Sequence, residues 1–274
     1  MKPVLFQLPT PFGTFPVSSF GVFLLLAFIV AIALTRARTR RLGWDPGEVV
    51  DLALYAIIGG IIGARIGYVL VNARDFAMAP LRALMIWVDA GLTFYGALLG
   101  GGLVAWLYGR RRGWGLGQIA DAAAPGLALG FAIAMIGTLL YGLNYGRAAH
   151  VPWAVVLFGE PRHPTQLYLM LAALVIAGVL LAVDRGSGSR PGRLFWLFVL
   201  LLSIARFGIE MFMDSPRALG PLTLAQVASL VAGLLAAVMW AVLGRSLPHA
   251  APLAGPQPEP APPGMSESGG GSHG

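Results

Sequence analysis

Arg65 stands in an uninterrupted apolar run, 59–71, and Arg206 and Glu210 stand in another, 195–212. An ionisable side chain at the centre of a bilayer span costs roughly 2.5–3.5 kcal/mol on insertion scales, so such groups are paired or turned towards an internal cavity. Arg206 and Glu210 are four residues apart and share a helix face. They make either a mutually neutralising pair that fixes packing, or an arginine held by a carboxylate so that its guanidinium fork can take a phosphate. Arg65 has no acid within one turn, so its partner is another helix or a bound anion. Tyr68 and Asn72 follow it on the same helix. Two arginines buried on different spans can form one anion-favouring pocket. A third cluster, Arg162-His163-Pro164-Thr165-Gln166-Leu167-Tyr168, opens a further apolar run. Pro164 and Thr165 suit a helix start. His163 at such a boundary is a base, a donor to phosphate, or simply an interfacial hydrogen-bonding residue.

The elements that position these groups must be membrane spans. Of 274 residues, 57% are hydrophobic and 11% charged, where soluble domains average about 25% charged. Seven segments are apolar and long enough to cross: 20–34, 49–71, 91–108, 119–141, 167–183, 194–213 and 224–243. The second, third and fourth are glycine-rich, with Gly59, Gly60, Gly63 and Gly67, then Gly96, Gly100, Gly101 and Gly102, then Gly126, Gly130 and Gly137. Such spacings let helix backbones approach closely, and packing is the preferred reading over ligand contact.

The net charge of +7 comes mostly from short loops, where it reads as orientation signal and lipid contact rather than nucleic-acid binding. Eleven basic residues fall on one side of the spans (Arg36, Arg38, Arg40, Arg41, Arg110, Arg111, Arg112, Arg185, Arg190, Arg193, Arg245). Six fall on the other (Lys2, Arg74, Arg82, Arg147, Arg162, Arg217). The positive-inside rule then puts the N-terminus outside and the C-terminus in the cytoplasm. No cleavable signal peptide is evident. The outer segment 142–166 mixes Pro152, Trp153, Phe158, Pro161 and Pro164, a composition suited to an interfacial lid. The expected organisation is an all-α seven-span domain over 1–245 and a disordered Pro/Gly/Ser-rich cytoplasmic tail over 246–274. His249 and His273 in that tail do not make a metal site. The chain has no cysteine, which excludes disulfides, zinc–thiolate sites and a cysteine nucleophile, so thiol chemistry would need a thiol from the substrate. No metal-binding or nucleotide-binding pattern stands out, and no cofactor is expected.

Four motifs taken together resemble the bacterial prolipoprotein diacylglyceryl transferase family. They are Gly63-Ala64-Arg65-Ile66-Gly67-Tyr68-Val69-Leu70, Thr93-Phe94-Tyr95-Gly96-Ala97-Leu98-Leu99-Gly100, the Arg162 to Tyr168 run, and Arg206-Phe207-Gly208-Ile209-Glu210. The likeness extends over about residues 18–243. It implies a multi-pass protein of the bacterial inner membrane. The reaction it implies moves diacylglyceryl from phosphatidylglycerol to the lipobox cysteine of a preprolipoprotein, with glycerol phosphate leaving. The partners would be phosphatidylglycerol or another anionic phospholipid and a lipobox-containing preprolipoprotein. Catalytic roles would fall on Tyr95, His163 and Arg206, and substrate binding on Arg65, Arg206, Glu210, Arg147, Gln166 and Tyr168.

The chain departs from the family pattern in its fourth span, where the signature resembles G-R-x-G-N-F-x-N-x-E-x-x-G. Gly137, Gly142, Gly146 and Arg147 fix the register. The signature's Arg then falls on Met135, its two Asn on Thr138 and Tyr141, and its Glu on Leu143. The family's third-span His falls on Tyr95, and a first-span Tyr on Phe20. Two readings follow: a divergent transferase, or a catalytically degenerate relative that binds phospholipid or lipoprotein precursor without turnover. A transporter is a distant third, because no span is broken in the manner of an ion path.

Overall fold

The computed structural model describes residues 2–10, 13–77, 80–85, 91–157, 159–184 and 190–244. The expected tail, its two histidines, Phe158 and Arg185 lie outside them. A hairpin of β1 (Val4–Thr10) and β2 (Gly13–Ser18) leads directly into α1 (Ser19–Thr39). There follow α2 (Pro46–Val71), the short α3 (Ala73–Ala77), α4 (Phe94–Arg111) and α5 (Leu116–Tyr141). Strands β3 (Val155–Leu157) and β4 (Glu160–Arg162) precede α6 (Thr165–Asp184) and α7 (Arg193–Glu210). Strands β5 (Arg217–Leu219) and β6 (Leu222–Thr223) precede α8 (Leu224–Gly244).

Each of the seven apolar segments is thus largely helical. Five of the helices, α1, α2, α5, α6 and α8, are long and apolar enough to cross a membrane. The two other long helices have 18 residues each: α4 is rich in glycine and ends on Arg110 and Arg111, and α7 carries Arg193, Arg206 and Glu210. The all-α expectation needs one correction. Among the described residues there are three two-stranded antiparallel sheets, one ahead of α1 and two in later connections. Their turns use left-handed glycines where an L side chain would be strained, as at Gly159 (φ 83°) between β3 and β4 and Gly220 (φ 57°) between β5 and β6.

The helices start where the local chemistry allows. Ser18 Oγ accepts from Gly21 N–H at the head of α1. Asp45 accepts from Gly47 and Glu48 at the head of α2, with Pro46 in the first turn, where its missing N–H is not needed. The core lies between α5, α6 and α7, where Ala124, Ala128, Ile176, Ala177, Leu180, Leu194 and Phe198 pack together. The outward faces are apolar too, with Leu25 and Ile29 on α1, Ile58 and Ile62 on α2, and Val231 and Leu234 on α8 all exposed. That is the surface a lipid-facing helix requires.

Two seams of small residues bind this bundle. On α2 and α4, an added methyl at Gly63 would overlap the Gly96 carbonyl, and one at Gly100 would overlap that of Gly59. On α5, Gly126 and Gly130 lie against the Ala31 and Ala27 carbonyls of α1, and Gly137 lies against Phe20 and Phe23. At these positions the glycines serve helix packing.

Candidate functional site

The segments before α6 and after α7 meet through backbone pairing. Arg147 N–H donates to the Phe212 carbonyl (2.9 Å), Gly146 pairs with Met213, and Asp214 N–H donates to the Tyr145 carbonyl (3.4 Å). On the other side of the same segment, Gly146 N–H donates to His163 O (3.1 Å) and His163 N–H to Arg147 O (3.0 Å). Arg162 reinforces the junction through Asp214, Glu160 and the Gly146 carbonyl, with its guanidinium over the Tyr145 ring. Residues 212 and 213 therefore link two groups that the chain separates widely. The Phe212 ring lies edge-on to His163 at 5.1 Å and to Tyr168 at 6.1 Å. The neighbouring Met213 sulfur receives Arg206 NH1.

Arg206 is held on one side only. Its NH1 forms the ion pair with Glu210 Oε2 one turn along α7 and also meets Met213. No partner among the described residues takes Nε or NH2, and the side chain is 29% exposed. Glu210 is buried, and its Oε1 accepts from Thr223 Oγ1 (3.0 Å). Thr223 is fixed in turn by a reciprocal cap at the head of α8. Gln226 N–H donates to Thr223 Oγ1 (3.2 Å) and Thr223 N–H to Gln226 Oε1 (3.1 Å). A carboxylate fixed from the next helix thus anchors half of a guanidinium fork, and the other half is presented. This suits bidentate contact with a phosphate.

His163 Nδ1 lies 3.1 Å from Tyr168 Oη, which also accepts from Trp153 Nε1–H (2.6 Å). Beside this chain runs an apolar groove of about 340 Å³, lined by Trp153, Pro164, Leu167, Tyr168 and Leu171. Arg147 has its backbone in the ladder just described and its side chain exposed. His163, Tyr168, Arg147, Arg206 and Glu210 are thereby gathered around Phe212 and Met213.

The remaining candidates have other surroundings. Arg65 is buried, and its Nε, NH1 and NH2 donate to the carbonyls of Ala83 (2.8 Å), Gly91 (3.3 Å) and Arg82 (2.7 Å). The Tyr68 and Phe76 rings flank it at 5.6 and 5.5 Å. Its partner is the backbone of the segment that joins α2 to α4, and no described bond connects it to Arg206. Tyr95 is 59% exposed on the second residue of α4, against Phe94, with no hydrogen-bond partner among the described residues. Gln166 is fully buried and donates through Nε2 to Leu143 O (2.6 Å), as Thr165 Oγ1 donates to Asn144 O (2.6 Å). These two bonds hold the turn in which Asn144 has a positive φ of 54°. In the fourth apolar segment Met135 and Thr138 are buried, and the Thr138 hydroxyl is satisfied by the Met135 carbonyl (2.8 Å). Tyr141 and Leu143 are exposed.

Two residues that the sequence reading passed over fix opposite ends of α7, Thr223 at the end that carries Glu210 and Asp121 at the other. Thr223 carries Glu210, and its signal was the Thr-x-x-Gln pattern ahead of the last apolar run. Asp121, a carboxylate just inside α5, accepts from Gly192 N–H and Phe195 N–H (both 2.7 Å) and so caps α7, whose own N-cap is a glycine. Its signal was a charge in an apolar run with no partner on its own helix.

The chain is similar in sequence to known proteins along most of its length. The family model for prolipoprotein diacylglyceryl transferase matches residues 3–242. A phosphatidylglycerol–prolipoprotein diacylglyceryl transferase of Thermus thermophilus is 36% identical, covering 77% of this chain and 84% of the relative. One from Frankia alni is 37% identical over 73% of this chain, and here the chain spans about half, 55%, of the relative's length. One from Clostridium tetani is 29% identical over 84% of this chain and 93% of the relative.

Proposed function

The chain belongs to the prolipoprotein diacylglyceryl transferase family, and on that premise we propose that it transfers diacylglyceryl from phosphatidylglycerol to the lipobox cysteine of a preprolipoprotein. The observation that carries the reading is the half-anchored guanidinium of Arg206, which meets Met213, the chain neighbour of the Phe212 that packs on His163. In the reaction a sulfur–carbon bond forms at the glycerol carbon as its bond to the phosphate oxygen breaks. Glycerol phosphate leaves, and the thiol proton passes to that phosphate or to water. Charge builds on the departing phosphate, so fixed cations and donors aimed at it lower the barrier. Arg206 supplies the cation, Glu210 holds it, His163 adds a polar contact, and the exposed Arg147 adds charge at the rim. The apolar groove beside Tyr168 keeps this end of the bundle open to lipid tails. Arg65 supports the site indirectly by securing the segment that joins α2 to α4.

The arrangement in the membrane follows from charge. All seven long helices cross, including α4 and α7, whose charged residues sit near their ends or in the site. With eleven basic residues on one side and six on the other, the N-terminus faces out and the tail from 246 lies in the cytoplasm of a bacterial inner membrane. Arg206, Glu210 and His163 then stand near the outer leaflet, where a preprolipoprotein thiol arrives. The decisive assay follows transfer from labelled phosphatidylglycerol to a lipobox peptide by purified protein, with complementation of a strain depleted of its own transferase beside it. Turnover and rescue are expected. Lipid and peptide binding without either would instead identify a degenerate relative, in line with the apolar residues at 135 and 143.

A further inference from the structure

We infer that His163 acts as a hydrogen-bond donor through Nε2, and that Trp153 and Tyr168 are positioning residues that impose this role. The role rests on the transferase reading for its acceptor, a phosphate oxygen of the lipid, while the imposed tautomer does not. One hydrogen-bond chain sets the direction. An indole N–H can only donate, so Tyr168 Oη is an acceptor towards Trp153 (2.6 Å). A phenol has a single hydrogen, and its other polar neighbour among the described residues is His163 Nδ1 at 3.1 Å. If Tyr168 donates there, every donor in the chain is used. If neutral His163 instead carried its proton on Nδ1, Tyr168 would accept twice and its own hydrogen would have no acceptor among the described residues. The satisfied arrangement runs from Trp153 to Tyr168 to His163 Nδ1, which leaves the imidazole proton on Nε2.

Phe212 packs edge-on against the His163 ring at 5.1 Å and limits its rotation. Nε2 has no partner among the described residues, so it is the end left for substrate. A neutral imidazole with Nε2 already protonated cannot take a thiol proton at that atom. It can donate to an oxygen that gains charge. Trp153, 61% exposed and merely an interfacial aromatic by sequence, thereby sets the polarity of a residue in the site.

The first test needs no turnover. Full-length protein in phosphatidylglycerol nanodiscs, ¹⁵N-labelled on histidine, carries His150→Asn, His249→Asn and His273→Asn so that His163 alone reports. Long-range ¹H–¹⁵N correlation at about pH 8, above the ordinary histidine range, is expected to show the Nε2–H tautomer with Nδ1 shifted as an acceptor. In the same background Trp153→Phe is expected to move the Nδ1 resonance and let the second tautomer appear. An Nδ1–H tautomer in the parent, or an Nδ1 signal indifferent to Trp153→Phe, overturns the proposal. The second test is transfer. Gln can place an amide N–H near the Nε2 position but is no base. His163→Gln should stay within about tenfold of the parent, while His163→Leu falls by about 10²–10³, the usual effect of losing one such donor. Equal loss in both variants would mean a base and overturn the donor role. A parent without any transfer would refute the transferase reading, and the tautomer experiment would still decide the direction of the chain.

Discussion

Arg65 and Arg206 are the two arginines inside apolar helices, and the molecule treats them in opposite ways. Arg65 lies under the segment between α2 and α4 with all three nitrogens donating to backbone carbonyls and two rings against it. Arg206 lies beside the segment between α7 and α8, tied through NH1 to Glu210 and Met213. Its other nitrogens meet no described residue. Both meet the cost of a buried charge, one by closing every bond internally and the other by a carboxylate that is itself fixed by Thr223. A cation in a span is therefore not in itself a binding site. What matters is where its donors already point.

Four substitutions bear on this contrast. Arg206→Lys keeps a cationic partner for Glu210 but loses the planar fork, so transfer should drop by about 10²–10³ while the melting temperature changes little. Unimpaired transfer would remove Arg206 from the site. Arg65→Lys can reach one carbonyl in place of three, which should lower stability by about 3–6 kcal/mol, given that hydrogen bonds to charged groups contribute roughly 1.5–3 kcal/mol each. Transfer per folded molecule should hold within a few-fold. The opposite pattern, lost transfer at unchanged melting, would erase the distinction between the two arginines. Gly63→Val probes the platform beneath Arg65: its side chain meets the Gly96 carbonyl, and overpacking of this kind costs about 1–3 kcal/mol. Wild-type melting would show that the seam has slack. Thr223→Val removes both the cap of α8 and the donor to Glu210, with an expected loss of about 0.5–2 kcal/mol. Because Glu210 then loses one of its two ties, a modest fall in transfer should accompany it. Unchanged affinity for phosphatidylglycerol and unchanged rate would confine Thr223 to stability.

The bundle was legible because apolar runs of this length permit little else, and the glycine spacings announced the close α2–α4 and α1–α5 crossings. Arg206 with Glu210 was legible from a spacing of four on one helix. What Arg65 binds was not, since its acceptors are backbone carbonyls 17 to 26 residues along the chain, and a backbone carbonyl leaves no mark in a sequence. The same limit hid the β pairings that bring residues 146–147 to 212–213. Tyr95 was singled out by its place in a motif, yet on α4 it points outwards, because the inward positions of that helix belong to the glycines. The link between Trp153 and His163 depends on side chains meeting across a connection whose course the local composition does not determine.

Asp121 caps a helix whose N-cap, Gly192, lies 71 residues after it. Gly192 and Phe195 are synthesised after Asp121, so the carboxylate must wait for its partners. The first turn of α7 is completed by a neighbour and not by its own chain. Continuity of the peptide between Asp184 and Arg190 is then not what secures that turn. Two separately expressed pieces, cut within this connection, would carry complementary halves of the cap and a means of finding one another in the bilayer.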